Sequence, residues 1–69
     1  MALSDNIRAK RIERGMTMEE LGKAIGTTAQ QIYKYENNLG KPQPERFVLL
    51  AEVLGTSCKE LVKGDSEVK

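Results

Sequence analysis

Residues 17–36 read Thr17-Met-Glu-Glu-Leu-Gly-Lys-Ala-Ile-Gly-Thr-Thr-Ala-Gln-Gln-Ile-Tyr-Lys-Tyr-Glu36, two short helical patterns separated by a glycine and a second helix cap. In the first half, Thr17-Met18-Glu19-Glu20 is a capping box. The Thr17 hydroxyl can accept the Glu20 amide, and the Glu20 carboxylate can reach back to the Thr17 amide. A helix is therefore predicted to start at Met18. Leu21, Ala24 and Ile25 recur at three- and four-residue spacing, which places them on one apolar stripe, with Glu19, Glu20 and Lys23 left in water. Gly26 then ends the helix, because a residue without Cβ takes the left-handed conformation that closes the last turn. Thr28, with Gln31 three residues on, repeats the cap signal before a second helix from Ala29 to Asn37. Two helices this short, joined by a turn of three or four residues containing glycine, make a helix-turn-helix.

The second helix has two faces. Ile32 and Tyr35, with the stem of Gln31, are predicted to face inward, and Ala29, Gln30, Tyr33, Lys34 and Asn37 outward. No acidic residue stands at the start of the outer face, where the helix dipole favours anions and a carboxylate would repel a phosphate. The outer side chains have the chemistry to read base edges. Gln30 can pair bidentately with adenine, Lys34 can donate to guanine O6 or N7, and Ala29 leaves room for a thymine methyl group.

Composition sets the outer limits. The chain has 69 residues, enough for one small domain, and such a length buries only about 60% of its unfolded surface. Ile7, Met16, Leu21, Ile25, Ile32, Tyr35, Phe47, Leu50, Leu54 and Leu61 suffice for one core. No stretch is long or apolar enough to span a bilayer and no signal-peptide core is visible, so a cytoplasmic location is expected, without membrane partners. Cys58 is the single cysteine, and histidine is absent. An internal disulfide is excluded, no metal site is expected, and Cys58 reads as a filler residue. Catalysis finds no support either: there is no histidine base and no glycine-rich phosphate loop, and the adjacent side chains of Glu19 and Glu20 diverge. No cofactor is implied. The net charge is +1, low for a nucleic-acid binder. Through Arg46, however, cations outnumber acids, and the remainder leans acidic, so one face can be positive on a nearly neutral protein.

With these residues in view, the chain resembles the helix-turn-helix domain of lambdoid phage repressors and Cro, the XRE-type regulators. The resemblance covers Ile7 to Val62. Its marks are Arg11 followed by Gly15, the Thr17-x-Glu-Glu-Leu21 start, Gly26, the Ile32-x-x-Tyr35-Glu36 end of the third helix, Ala51-x-x-Leu54-Gly55, and Ser57-x-x-Glu60-Leu61. Taken in order and at the family's spacing, they make a strong match. The resemblance implies an all-α, compact five-helix domain over residues 1–63, with helices at 4–14, 18–25, 29–37, 44–54 and 58–62. Local signals agree. Ser4 or Asp5 can cap the first helix and Gly15 can end it; Pro44 suits the first turn of the fourth and Gly55 its end; Ser57 and Glu60 form a further capping box. No run alternates with period two, so no sheet is expected. The polar stretch Gly64–Lys69 reads as a frayed tail.

The resemblance also implies roles. Arg11 and Glu36 match an ion pair that ties the first helix to the end of the recognition helix. The Thr17 and Met18 amides, Thr28, Asn37 and Lys41 match contacts to DNA phosphates, and Ala29, Gln30, Tyr33 and Lys34 occupy the base-reading face. Two departures are visible. Met18 stands where many members carry glutamine, and thioether sulfur cannot donate a hydrogen bond. Asn38 stands where glycine is common, and asparagine is the next most tolerant residue for a left-handed cap. Leu39 is apolar in a loop that should be exposed. The expected function is a sequence-specific regulator, a repressor that binds a two-fold double-stranded DNA operator as a homodimer, with a dimer surface around the fifth helix and the Thr56-Ser57 turn. The alternative keeps the fold without DNA: a protein-interaction module that docks the same third helix into a protein groove.

Overall fold

The computed structural model of the chain describes residues 2–62. The tail expected at Gly64–Lys69 and the last residue of the expected domain, Lys63, lie outside the described residues. Five helices follow one another, α1 (Ala2–Glu13), α2 (Met18–Ala24), α3 (Ala29–Glu36), α4 (Pro44–Val53) and α5 (Cys58–Leu61), and no strand occurs among the described residues. The four later helices start where their cap signals place them and end one residue before the expected position, because the residue expected last is the C-cap.

The first helix corrects the reading at its start. It already includes Ala2, so Ser4 and Asp5 lie inside it rather than at its cap, and Ser4 is buried. The extra residues bring Leu3 against the core, and that burial outweighs the local preference of serine for a cap.

The caps of α2, α3 and α5 are formed. The Thr17, Thr28 and Ser57 hydroxyls accept from the amides of Glu20, Gln31 and Glu60 at 3.0, 3.2 and 3.1 Å. At Thr17 the reciprocal bond is present as well, the Thr17 amide donating to Glu20 Oε1 at 2.9 Å. The ends of α1 to α4 are closed by left-handed residues. After α2, Gly26 at φ 78° lets its own amide reach Lys23 O at 3.2 Å and the Thr27 amide reach Gly22 O at 2.7 Å, so two terminal carbonyls are satisfied in a Schellman motif. After α3 the same position is filled by Asn38 at φ 60°, and the Leu39 amide donates to Lys34 O at 2.8 Å. The asparagine thus closes α3 as the glycine closes α2.

The core is a single cluster. Ile7 from α1, Leu21 and Ile25 from the α2 region, Ile32 and Tyr35 from α3, Leu50, Ala51 and Leu54 from the α4 region, and Leu61 from α5 are all buried. Met16 and Phe47, expected in this core, are partly buried against it. Helix α2 packs on α3, α1 packs on both α3 and α5, and α4 packs on α5. Ala24 departs from the expected stripe: it is exposed, and Gly22 is buried in its place. A β-carbon at Gly22 would lie 2.8 Å from the Thr28 carbonyl carbon and 2.9 Å from its oxygen. The missing side chain lets the backbone entering α3 press directly onto α2, and this turns the buried arc of α2 toward residues 21, 22 and 25.

Candidate nucleic-acid interface

Helix α3 is held from beneath and left open above. Ile32, Tyr35 and Glu36 are buried, whereas Gln30, Tyr33, Lys34 and Asn37 are exposed and Ala29 is half-buried. Tyr33 keeps 51% of its surface in water, a large exposure for an aromatic side chain at the middle of a helix. Positions 29, 30, 33, 34 and 37 share one side of a helix that advances about 100° per residue, so one strip holds the donors and acceptors. Its start carries no carboxylate.

The far end of α3 is fixed by Arg11. Its Nε donates to Glu36 Oε2 at 2.6 Å and its Nη2 to Oε1 at 3.1 Å, a bidentate pair. Its Nη1 donates to Met16 O at 2.8 Å, and the Met16 amide returns a bond to Arg11 O at 3.1 Å. One guanidinium therefore binds α1, the turn into α2 and the last turn of α3. The Glu36 hydrogen bonds raise the Arg11 pKa against the opposing effect of burial, and the Glu36 charge adds to the rise.

At the start of α2, the Thr17 amide is taken by the Glu20 carboxylate. The Met18 amide, first in the helix, has no intrahelical partner by position. The Met18 side chain packs partly against the core, a role that suits a thioether at a site where a polar residue would serve only through its tip. Thr28 is exposed at the cap of α3; its oxygen accepts from Gln31, and its own hydrogen remains available to an outside acceptor. Asn37 is exposed and bonds back to its helix, Nδ2 donating to Tyr33 O at 2.8 Å, with its Oδ1 and second amide hydrogen left over.

Lys41 has polar and charged neighbours. It borders a cleft of about 230 Å³ together with Thr27, Gln31, Tyr35, Gln43 and Arg46. Two cations and several neutral hydrogen-bonding groups converge there, from the α2–α3 turn, the flank of α3 and the entry to α4. Gln43 and Arg46 were not expected at this site from the sequence. They follow Asn38 by five and eight residues, and only the course of the α3–α4 loop brings them back beside α3.

The helix-turn-helix family matches residues 7–61. An uncharacterized HTH-type transcriptional regulator of Sinorhizobium medicae is 35% identical over 52 residues, which are 75% of this chain and 37% of the relative. A second, from Rickettsia prowazekii, is 29% identical over 65 residues, 94% of this chain and 50% of the relative. The chain spans 17% to 52% of the length of the curated relatives it matches. Among solved structures, the P22 c2 repressor in complex with a synthetic operator superimposes with a TM-score of 0.88 at 29% identity, covering 94% of this chain and 98% of the repressor chain. With its five helices, its capped turn and this match, the chain belongs to the XRE-type helix-turn-helix family, and its fold is that of the lambda-repressor-like domains.

Proposed function

We propose that this chain is a sequence-specific DNA-binding transcriptional regulator that lays α3 in the major groove. The observation that carries the reading is the division of α3: Gln30, Tyr33 and Lys34 are exposed on one strip, while Ile32, Tyr35 and Glu36 anchor the other side. A helix fixed at both ends by a cap and an ion pair presents those side chains without first having to be ordered, which lowers the entropic cost of binding. The likeness to HTH-type transcriptional regulators and to an operator-bound repressor supports the reading.

Ala29, Gln30, Tyr33 and Lys34 contact bases. The Met18 amide and Thr28 hold phosphates on one side of the groove, and Asn37, Lys41 and the cleft formed with Gln43 and Arg46 hold them on the other. Thr17 contributes through its cap, which fixes the Met18 amide, rather than through its own amide. One helix of eight residues reads only a few base pairs, so the regulator binds a two-fold operator as a homodimer and acts as a repressor by occupying it. No catalytic role and no cofactor is assigned. Among the described residues no helix is long and apolar enough to cross a membrane, and the site of action is the compartment that holds the DNA, the cytoplasm.

Selection of bound sites from random duplexes, followed by Gln30→Ala and Lys34→Ala tested separately, decides the matter. Each substitution should relax preference at one position per half-site by roughly 5- to 150-fold, the equivalent of about 1–3 kcal/mol. Uniform binding to all sequences by the unmodified chain at low salt would defeat the proposal.

A further inference from the structure

We propose that the outer face of α4 docks a second, different protein, one that presents apolar side chains bracketed by lysine or arginine. The inner side of α4 is fully used: Leu50 and Ala51 are buried, and Phe47 and Val53 pack partly on the core. On the opposite side stand Glu45, Val48, Leu49 and Glu52, all exposed. At about 100° per residue these positions fall within an arc of roughly 100°, and seven residues separate the two carboxylates by about 10 Å along the axis. Val48 and Leu49 keep 48% and 38% of their surface in water, and neither belongs to the core cluster or to the side chains packed against it. On α2, by contrast, the outer positions are held by Glu19, Glu20 and Lys23.

The charges select the occupant. Two carboxylates without a cation in the stripe repel phosphates, so this is not a DNA face. They also oppose a two-fold contact between copies. An antiparallel pairing of α4 with itself, centred between Val48 and Leu49, sets Glu45 of one copy opposite Glu52 of the other at both ends. A parallel pairing sets each carboxylate against itself. Like charges in register penalise both arrangements, which is how interfaces reject wrong partners. A partner of the opposite pattern meets no such penalty: its apolar side chains cover Val48 and Leu49, and its cations reach the carboxylates. Glu45 can be kept at this position without loss, since it lies in the first turn of α4, where the helix dipole favours an acid. The patch is small, so the contact is transient and depends on electrostatic complementarity for its register. The inference does not depend on DNA binding.

The test uses the full chain, isotopically labelled, and two synthetic helical peptides that share an apolar Leu-Leu centre and differ only in flanks of Lys or of Glu. The lysine-flanked peptide should give saturable amide shifts centred on residues 45–52, with the glutamate-flanked peptide at least tenfold weaker. In the doubly substituted Glu45→Lys, Glu52→Lys chain the preference should invert; both positions are exposed, so the fold should persist, which the amide spectrum reports directly. Equal binding of the two peptides, or shifts that map elsewhere, would overturn the proposal. So would self-association of the chain abolished by Val48→Asp, which would assign the face to a second copy, or shifts centred on Val48, Leu49 and Glu52, away from Arg46, on adding a DNA duplex alone.

Discussion

Arg11 and Glu36 stand 25 positions apart, and the side chains left in water are 12% and 1% of their full areas. With so little solvent, removing one partner leaves a charge that neither water nor protein neutralises. Glu36→Gln should cost about 3 kcal/mol in urea unfolding, whereas the double substitution Arg11→Met, Glu36→Leu should cost markedly less, because no charge is then stranded. A single-variant loss below about 1 kcal/mol would mean that the pair is solvated in solution. The pH dependence follows from the raised pKa of Arg11. A base whose folded pKa lies above its unfolded value contributes stability that is fully present below the unfolded pKa and lost only as pH rises through the folded one. For arginine that window lies above about pH 12. The stability difference between the unmodified chain and the double variant should therefore show no alkaline loss from Arg11 between pH 7 and pH 10, checked by urea titrations at both ends. At this scale the sequence was silent by itself: nothing in its spacing links residues 11 and 36, and the pair came into view only through the family resemblance.

Among the elements, the junction of α2 with α3 decides how α3, the proposed recognition helix, is aimed. Gly22 sets the separation, because a β-carbon there would meet the Thr28 backbone at under 3 Å, and backbone cannot swing aside as a side chain can. Alanine favours a helix interior over glycine by about 1 kcal/mol, but overpacking of this kind costs typically 1–3 kcal/mol. Gly22→Ala should therefore be destabilising on balance and should weaken operator binding more than its stability loss explains, since α3 is displaced bodily. Gly40→Ala is the control: nothing lies within 4 Å of a β-carbon there, so its melting point should stay the same or rise slightly. Thermal melts and binding titrations of the two variants side by side check both statements; a Gly22→Ala chain that binds normally would remove the glycine from the aiming of α3. The starts of α2, α3 and α5 were readable because each cap is a local bond, as Thr17, Thr28 and Ser57 show; the start of α1 was not, because the burial of Leu3 and Ser4 decides it. Gly22 was not readable. A glycine within a helical pattern carries no sign of what approaches it, and Ala24 fitted the apolar spacing equally well until the position of α3 decided which arc of α2 is covered. The Lys41 cleft was half legible for a similar reason, since Arg46 joins it only through the path of the loop.

For the whole molecule the question is how a chain of net charge +1 can hold a polyanion. Its charges are divided by place. Lys41 and Arg46 border the cleft beside α3 and Lys34 lies on the exposed strip of α3, while Glu45 and Glu52 occupy the outer side of α4. If Lys41 and Arg46 each neutralise one phosphate per copy, a homodimer displaces counterions from four phosphates. The slope of log K against log salt should then be about −3.6, a loss of roughly 150-fold between 50 and 200 mM. On the proposed reading the other contacts come from neutral groups, the Met18 amide, Thr28 and Asn37, which would position the duplex without adding to the salt response. Lys41→Ala should therefore flatten the slope to about −1.8 and weaken binding to all sequences alike, in contrast to Gln30→Ala, which should act at one base position. Anisotropy titrations of the selected operator at four or five salt concentrations measure both effects. A slope steeper than about −6 would place further cations at the phosphates. A slope unchanged by Lys41→Ala would remove the cleft from the interface and leave α3 to be held by its neutral donors alone.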